Sequence, residues 1–176
     1  MKIEPLNFPK ADWRLLITEP AKGSWNMAAD EALLSLMDEP GRKPILRFYS
    51  WTPPCLSLGY AQPLSDVDHA GLKKNGWGLV RRATGGRAIL HTDEITYSVI
   101  TPVDDSRMAG GVLASYKRIS LALFAALESL GLPVTISEKK VEPTKDIDPV
   151  CFDVPSIYEI TLNGKKIIGS AQARKG

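Results

Sequence analysis

A thiol and an amine in the C-terminal part of the chain are the side chains best suited to covalent chemistry. Cys151 sits in Pro149-Val150-Cys151-Phe152-Asp153-Val154-Pro155-Ser156, an irregular segment with proline on both sides and a charged stretch before it. That setting argues for partial exposure. Cys55, inside the apolar run Cys55-Leu56-Ser57-Leu58, has the surroundings of a buried and inert thiol. The thiolate is the reactive form, and a nearby cation lowers a thiol's pKa. Lys166 is the candidate cation, on the return strand of a hairpin that begins just after Cys151. The same residues also fit an incidental loop cysteine and a solvated lysine. Beyond Lys166 the chain places Gly169, Ser170 and Ala171 in a row. Small residues there leave a groove whose backbone N–H groups can hold an acyl oxygen. A bulge or an edge strand is the alternative.

A second group lies in Arg81-Arg82-Ala83-Thr84-Gly85-Gly86-Arg87, which joins two apparent strands. Gly85 and Gly86 permit positive φ and close approach of a ligand to the backbone. Arg81, Arg82 and Arg87 suit a carboxylate or phosphate. No Lys-Ser/Thr pair follows and no helix begins there, so the turn is neither a P-loop nor a dinucleotide fingerprint. A tight hairpin with solvated arginines fits equally well. His91 closes the outgoing strand next to Asp93 and Glu94. With two histidines, His69 and His91, and no cysteine pair, no zinc site is expected.

The elements that must hold these groups follow from periodicity and punctuation. A helix is predicted over 25–38, capped by Ser24, with Ala29, Ala32, Leu33, Leu36 and Met37 on one face and Pro40-Gly41 after it. Strands are predicted over 45–49 and 56–60. A short helix over 66–74, capped by Ser65, stops at Asn75-Gly76. Three more strands follow over 78–82, 87–91 and 95–100. Val112, Tyr116, Ile119, Leu123, Leu127 and Leu130 recur at helical spacing up to Gly131. The polar stretch 137–148 reads as an exposed loop. A final hairpin runs from 157–162 through Asn163-Gly164, a type I′ pair, into a return strand from Lys166 onward. The order of helix, strands, helix, strands predicts an α+β fold, a mixed or antiparallel sheet packed with helices.

Composition narrows the function. The 176 residues carry 22 basic and 20 acidic side chains, a net charge of +2, which gives no reason to expect nucleic acid. No run approaches a membrane span, and Met1 to Trp13 lacks an apolar signal core. Two distant cysteines make no disulfide framework, and a reducing, cytoplasmic setting is expected.

Four ordered motifs together resemble the biotin/lipoate protein ligase family. They are Asn26-Met27-Ala28-Ala29-Asp30-Glu31, the pair Leu46-Arg47-Phe48-Tyr49 and Leu58-Gly59-Tyr60-Ala61-Gln62, the turn from Arg81 to His91, and Gly164-Lys165-Lys166-Ile167-Ile168-Gly169-Ser170-Ala171-Gln172. The resemblance implies a fold like the class II aminoacyl-tRNA synthetases and biotin/lipoate ligases. Cys151 to Glu159, and Arg87 in the third position of the glycine turn, are similar to the octanoyltransferase branch. There the cysteine carries an acyl thioester. The resemblance then implies an octanoyl-acyl carrier protein as donor and a lipoyl-domain protein, such as the glycine cleavage H protein, as acceptor. Cys151 and Lys166 would be catalytic. Arg81, Arg82, Gly85, Gly86, Arg87, His91, Gly169, Ser170 and Ala171 would bind substrate, the two glycines beside a tunnel for the acyl chain. No metal or cofactor is implied. ATP and Mg²⁺ enter only if the chain is instead a lipoate ligase, and a non-catalytic module that holds lipoyl or carrier domains is the other alternative. Thr92 departs from the family, which places Asp after the histidine, and Asp93 is the expected substitute. Family members also continue with further strands and helices after the lysine motif, so 1–176 is expected to be a single, incomplete catalytic domain.

Overall fold

A computed structural model describes residues 8–136 and 158–174. The expected loop 137–148 and the segment around Cys151 lie outside the described residues. The chain divides into two compact units. One is Lys10–Val103 with the last residues of the chain, and the other is Asp104–Gln172 with the first.

The first unit holds two three-stranded mixed sheets and two helices. Strand β1 (Arg14–Ile17) runs parallel to β2 (Ile45–Tyr49), and β2 runs antiparallel to β6 (Thr96–Ile100). In the other sheet β3 (Cys55–Leu58) is central, parallel to β4 (Gly78–Arg81) and antiparallel to β5 (Ile89–His91). β1 escapes a reading by alternation because it is an edge strand, with Leu15 and Ile17 exposed and only Leu16 turned to the core. The short helix α2 (His69–Asn75) starts later than its sequence suggests. Asp68, not Ser65, caps it by accepting from the Gly71 N–H, and residues 64–66 form a separate 3₁₀ turn. Gly76 ends it in the left-handed conformation, as expected.

Helix α1 (Gly23–Leu36) departs most from the apolar-face prediction. Its N-cap is Lys22, and Ser24 lies inside the helix. Ala32 and Leu36 face outward, while Asn26 is fully buried. The reason is Arg47, which β2 points into the same face and which is 1% exposed. Its Nη1 donates to Asp30 Oδ1 at 2.7 Å, its Nη2 donates to Asn26 Oδ1 at 2.8 Å, and its guanidinium lies 3.9 Å from the Tyr49 ring centroid. Tyr49 Oη and Ser98 Oγ both donate to Asp30 Oδ2. Burial, together with the Asp30 carboxylate, pushes the Tyr49 phenol far above its usual range. The helix is therefore clamped to the sheet by a buried ion network, a pattern that hydrophobic periodicity cannot show.

Removing one partner of a buried pair leaves an uncompensated charge, so Asp30→Ala is expected to cost about 3–5 kcal/mol. A thermal melt should show the loss, and Asp30→Ala/Arg47→Met should recover much of it. An unchanged melt for the single variant would contradict the clamp.

The second unit packs α3 (Val112–Ser129) on an antiparallel sheet of β7 (Val134–Ile136), β8 (Ile160–Leu162) and β9 (Lys165–Lys166). Phe124, Val134 and Ile160 form its core with Leu123, Leu127, Ile136, Leu162 and Ile168 around them. Val112 and Leu130, at the ends of the expected stripe, are exposed, and Gly131 turns the chain with φ +80°. Asn163 and Gly164 both take positive φ, 51° and 76°, which is the type I′ geometry expected of that pair. The return strand is shorter than predicted. It ends at Lys166, and residues 167–174 form no strand, although the Ile167 N–H still reaches the Ile160 carbonyl at 3.1 Å. Further along, Gln172 and Ser115 exchange hydrogen bonds at 2.8 and 3.0 Å, which fastens this stretch to α3. Among the described residues no helix is long and apolar enough to cross a membrane.

Candidate functional site

The glycine turn is not the tip of a hairpin. β4 and β5 flank β3 on opposite sides, so residues 82–88 must cross over the end of β3 to connect them. The crossing is so close that a Cβ added to Gly59 would lie 1.8 Å from the Gly86 carbonyl oxygen. Gly86 takes φ +90°, a conformation that side chains resist, and Gly85 has open space where a Cβ would go. The Tyr60 N–H donates to the Thr84 carbonyl at 2.9 Å and ties the two segments together.

Arg82 laces this crossing from inside. Its Nη2 donates to the carbonyls of Gly85 and Arg87 at 2.9 and 2.7 Å. Its Nε reaches Thr84 Oγ1, and its Nη1 reaches Ser57 through both the carbonyl and Oγ. Arg81 does the same for the other strand, with Nη1 donating to the carbonyls of Gly59, Tyr60 and Gln62. The Arg82 guanidinium shapes the backbone of the turn and the Arg81 guanidinium that of the segment after β3, where the sequence reading had both meeting an anion. Arg87 is half-buried and Gly85 and Gly86 are exposed.

His91 lies beneath. It pairs with Cys55 across β3 and β5, is 7% exposed, and stacks on Trp51 with ring centroids 3.9 Å apart. Both ring nitrogens are engaged: Nε2 with Ser57 Oγ at 2.8 Å and Nδ1 with Glu94 Oε1 at 2.6 Å. Glu94, not Asp93, is the carboxylate on this histidine, and its Oε2 also accepts from the Thr92 N–H. Burial lowers the His91 pKa below the ordinary 6.5, and the Arg82 guanidinium pushes the same way against the Glu94 carboxylate. The neutral ring thus donates from Nδ1 and accepts the Ser57 hydroxyl at Nε2. The row of hydroxyl, imidazole and carboxylate has the connectivity of an activated nucleophile. Ser57 is fully buried, however, and through its bonds to Arg82 the row supports the turn.

A histidine held neutral in the fold stabilises the protein fully above its unfolded pKa. That contribution is lost as pH falls from 6.5 toward the lower folded value. The melting temperature is expected to drop between about pH 7.5 and about pH 5, and His91→Gln should lack that component. Equal drops in both proteins would contradict this.

In the other unit, Lys166 Nζ donates to Glu159 Oε1 at 2.6 Å, with the two side chains 7% and 5% exposed. Gly169, Ser170 and Ala171 lie just beyond, in the stretch that forms no strand. Arg81, Arg82, Gly85, Gly86, Arg87 and His91 are thus gathered in one unit and Lys166, Gly169, Ser170 and Ala171 in the other, while Cys151 lies outside the described residues. Glu159 was missed by the sequence reading, although the turn chemistry could have found it. A two-residue turn at Asn163-Gly164 pairs Thr161 with Lys166, and alternation puts Glu159 on the same face as Thr161.

The other thiol is accounted for. Cys55 is 1% exposed, burial pushes its pKa up to about 11, and its Sγ lies 2.5 Å from where a Gly23 Cβ would stand. It is a packing residue.

Residues 22–176 match the lipoyl protein ligase A/B catalytic domain model. The chain belongs to that family. It is 50% identical over 170 residues to the octanoyltransferase LipM of Moorella thermoacetica, which covers 96% of this chain and 62% of that protein. With the LipM of Brevibacillus brevis it shares 43% identity, covering 93% and 61%. The chain therefore spans less than two thirds of the length of these relatives. Among solved structures, lipoate-protein ligase A bound with ATP superimposes with a TM-score of 0.73 at 30% identity, covering 93% of this chain and 62% of that one. A bi-partite lipoate protein ligase from Thermoplasma acidophilum, studied with its E2 lipoyl domain, gives 0.71 at 30% identity, covering 94% and 58%. The fold is the α+β fold of the lipoate-protein ligases.

Proposed function

We propose that this chain carries the acyl-transfer site of an octanoyltransferase in protein lipoylation, working through a thioester on Cys151. The likeness to proteins named octanoyltransferase, 50% identity across nearly the whole chain, is the observation that carries the reading. The packing of Cys55 adds to it. Of the two thiols in the chain, one is sealed in a sheet, so a cysteine nucleophile must be Cys151.

In the first step the Cys151 thiolate attacks the carbonyl of an octanoyl thioester on acyl carrier protein. A new S–C bond forms, and the carrier's C–S bond breaks to release its thiolate. In the second step the neutral amine of a lysine on a lipoyl domain attacks the enzyme thioester. An amide forms, the C–S bond to Cys151 breaks to release its thiolate, and the surplus proton on nitrogen passes to water. Lys166 supplies positive charge to the thiolate and to the oxygen that becomes negative during attack. Backbone N–H groups at Gly169 to Ala171 are the candidate oxyanion donors. Burying the acyl chain gains about 0.8 kcal/mol per methylene, so tunnel depth can select its length. The donor thioester is already activated, and the reaction needs no nucleotide.

The structural likeness to an ATP-bound ligase favours one competing reading, in which free lipoate is adenylated first. Transfer assays on the full-length protein separate the two. Octanoyl-carrier thioester without ATP is expected to modify an H-protein or E2 lipoyl domain, and octanoate or lipoate with ATP and Mg²⁺ is expected not to. The reverse pattern would replace the transferase with a ligase, and binding without turnover would leave a docking module.

A further inference from the structure

We infer that Glu159 is a positioning residue for Lys166, and that the buried pair, not the lysine alone, is the working unit of the site. The inference rests on the acyl-transfer reading above.

The sheet of the second unit is two-faced. Ile160 and Leu162 of β8 turn to the α3 core, so Glu159 and Thr161 turn the other way. Thr161 faces Thr135 on β7, with the hydroxyls 2.8 Å apart, and faces Lys166 on β9. Glu159 is the diagonal neighbour of Lys166 in this ladder, within reach of a long side chain. A polar face of an antiparallel sheet ordinarily meets water. This one does not: Thr161 is 8% exposed, Glu159 5%, and the Lys166 side chain 7%. A lone ammonium in such a place carries a large desolvation penalty, which an opposite charge in hydrogen-bond contact offsets. Glu159 supplies that opposite charge, 2.6 Å from the ammonium. It also fixes the direction of the ammonium by binding one of its three hydrogens.

The backbone supports this assignment. Tyr158, immediately before Glu159, holds φ +65°, a conformation unfavourable for a bulky residue, with its ring 5.0 Å from Lys117 Nζ of α3. The chain keeps that strain where it turns the Glu159 carboxylate toward Lys166.

The test is a double-mutant cycle on single-turnover acylation of Cys151 by octanoyl-carrier thioester, using the full-length protein. Glu159→Gln keeps the shape and removes the charge. It is expected to lower kcat by about 10- to 100-fold with donor KM nearly unchanged, as a misplaced catalytic group does. In a Lys166→Ala background the same change should have almost no further effect, because the residue it positions is gone. If Glu159→Gln fails to fold, Glu159→Asp, which keeps the charge but shortens the reach, carries the same comparison. A wild-type rate for the Glu159 variant beside a slow Lys166→Ala overturns this inference alone. So does a Glu159 effect that multiplies in full onto the Lys166→Ala loss. A wild-type rate for Lys166→Ala, or no octanoyl group on Cys151, overturns the acyl-transfer reading and this inference with it.

Discussion

Cys151→Ser is expected to cut octanoyl transfer by roughly 10⁴-fold while leaving the melting temperature unchanged. A serine hydroxyl is not ionised at neutral pH, and the positive charge of Lys166 is far too weak an influence to ionise it. An alkoxide is also a much poorer leaving group than a thiolate, so both halves of the reaction suffer. Cys55 offers no bypass, because its thiol is sealed in β3 and held protonated by burial. Mass spectrometry of the lipoyl-domain acceptor gives the transfer rate directly. A variant within about tenfold of wild type would remove the covalent mechanism.

The second large effect belongs to a residue with no chemistry of its own. A Cβ at Gly59 would stand 1.8 Å from the Gly86 oxygen and 2.8 Å from the Gly86 carbonyl carbon, both backbone atoms. Neither can yield as a flexible side chain does, so Gly59→Ala must lift the glycine turn off β3 and disturb the Arg82 bonds to the Gly85 and Arg87 carbonyls. Overpacking of this kind costs about 1–3 kcal/mol, and a turn displaced by about 1 Å costs on the order of a hundredfold in kcat/KM. Gly85→Ala is the control. Its Cβ meets nothing within 4 Å, so stability should hold. Equal melting temperatures for the Gly59→Ala protein and wild type would show that the crossing is looser than the structure describes.

Much of this architecture was legible in the sequence where local chemistry rules. Asn163-Gly164 specified its turn, Gly76 and Gly131 ended their helices, and residues 45–49 formed the predicted strand. Reading failed where distant residues decide. α1 buries Asn26 and leaves Ala32 exposed because Arg47, far along the chain, demands polar partners. The glycine turn looked like a hairpin because only the sheet order shows β3 lying between the strands it joins. The arginines beside it looked free to meet an anion. In the structure Arg81 and Arg82 donate mainly to backbone carbonyls, and that distribution depends on a crossing that no spacing announces. Lys166 was found as a cation, but its partner Glu159 emerged only once the hairpin register was known.

The account stands on an octanoyl group passing through Cys151, and one experiment addresses that step alone. The full-length protein is mixed with octanoyl-carrier thioester, without ATP and without acceptor, quenched in acid, digested and mapped by mass spectrometry. The account predicts one octanoyl group, on the peptide that contains Cys151, removable by neutral hydroxylamine as a thioester is. An octanoyl group on any other residue, or transfer to a lipoyl domain with no acylated enzyme formed on the way, would contradict it.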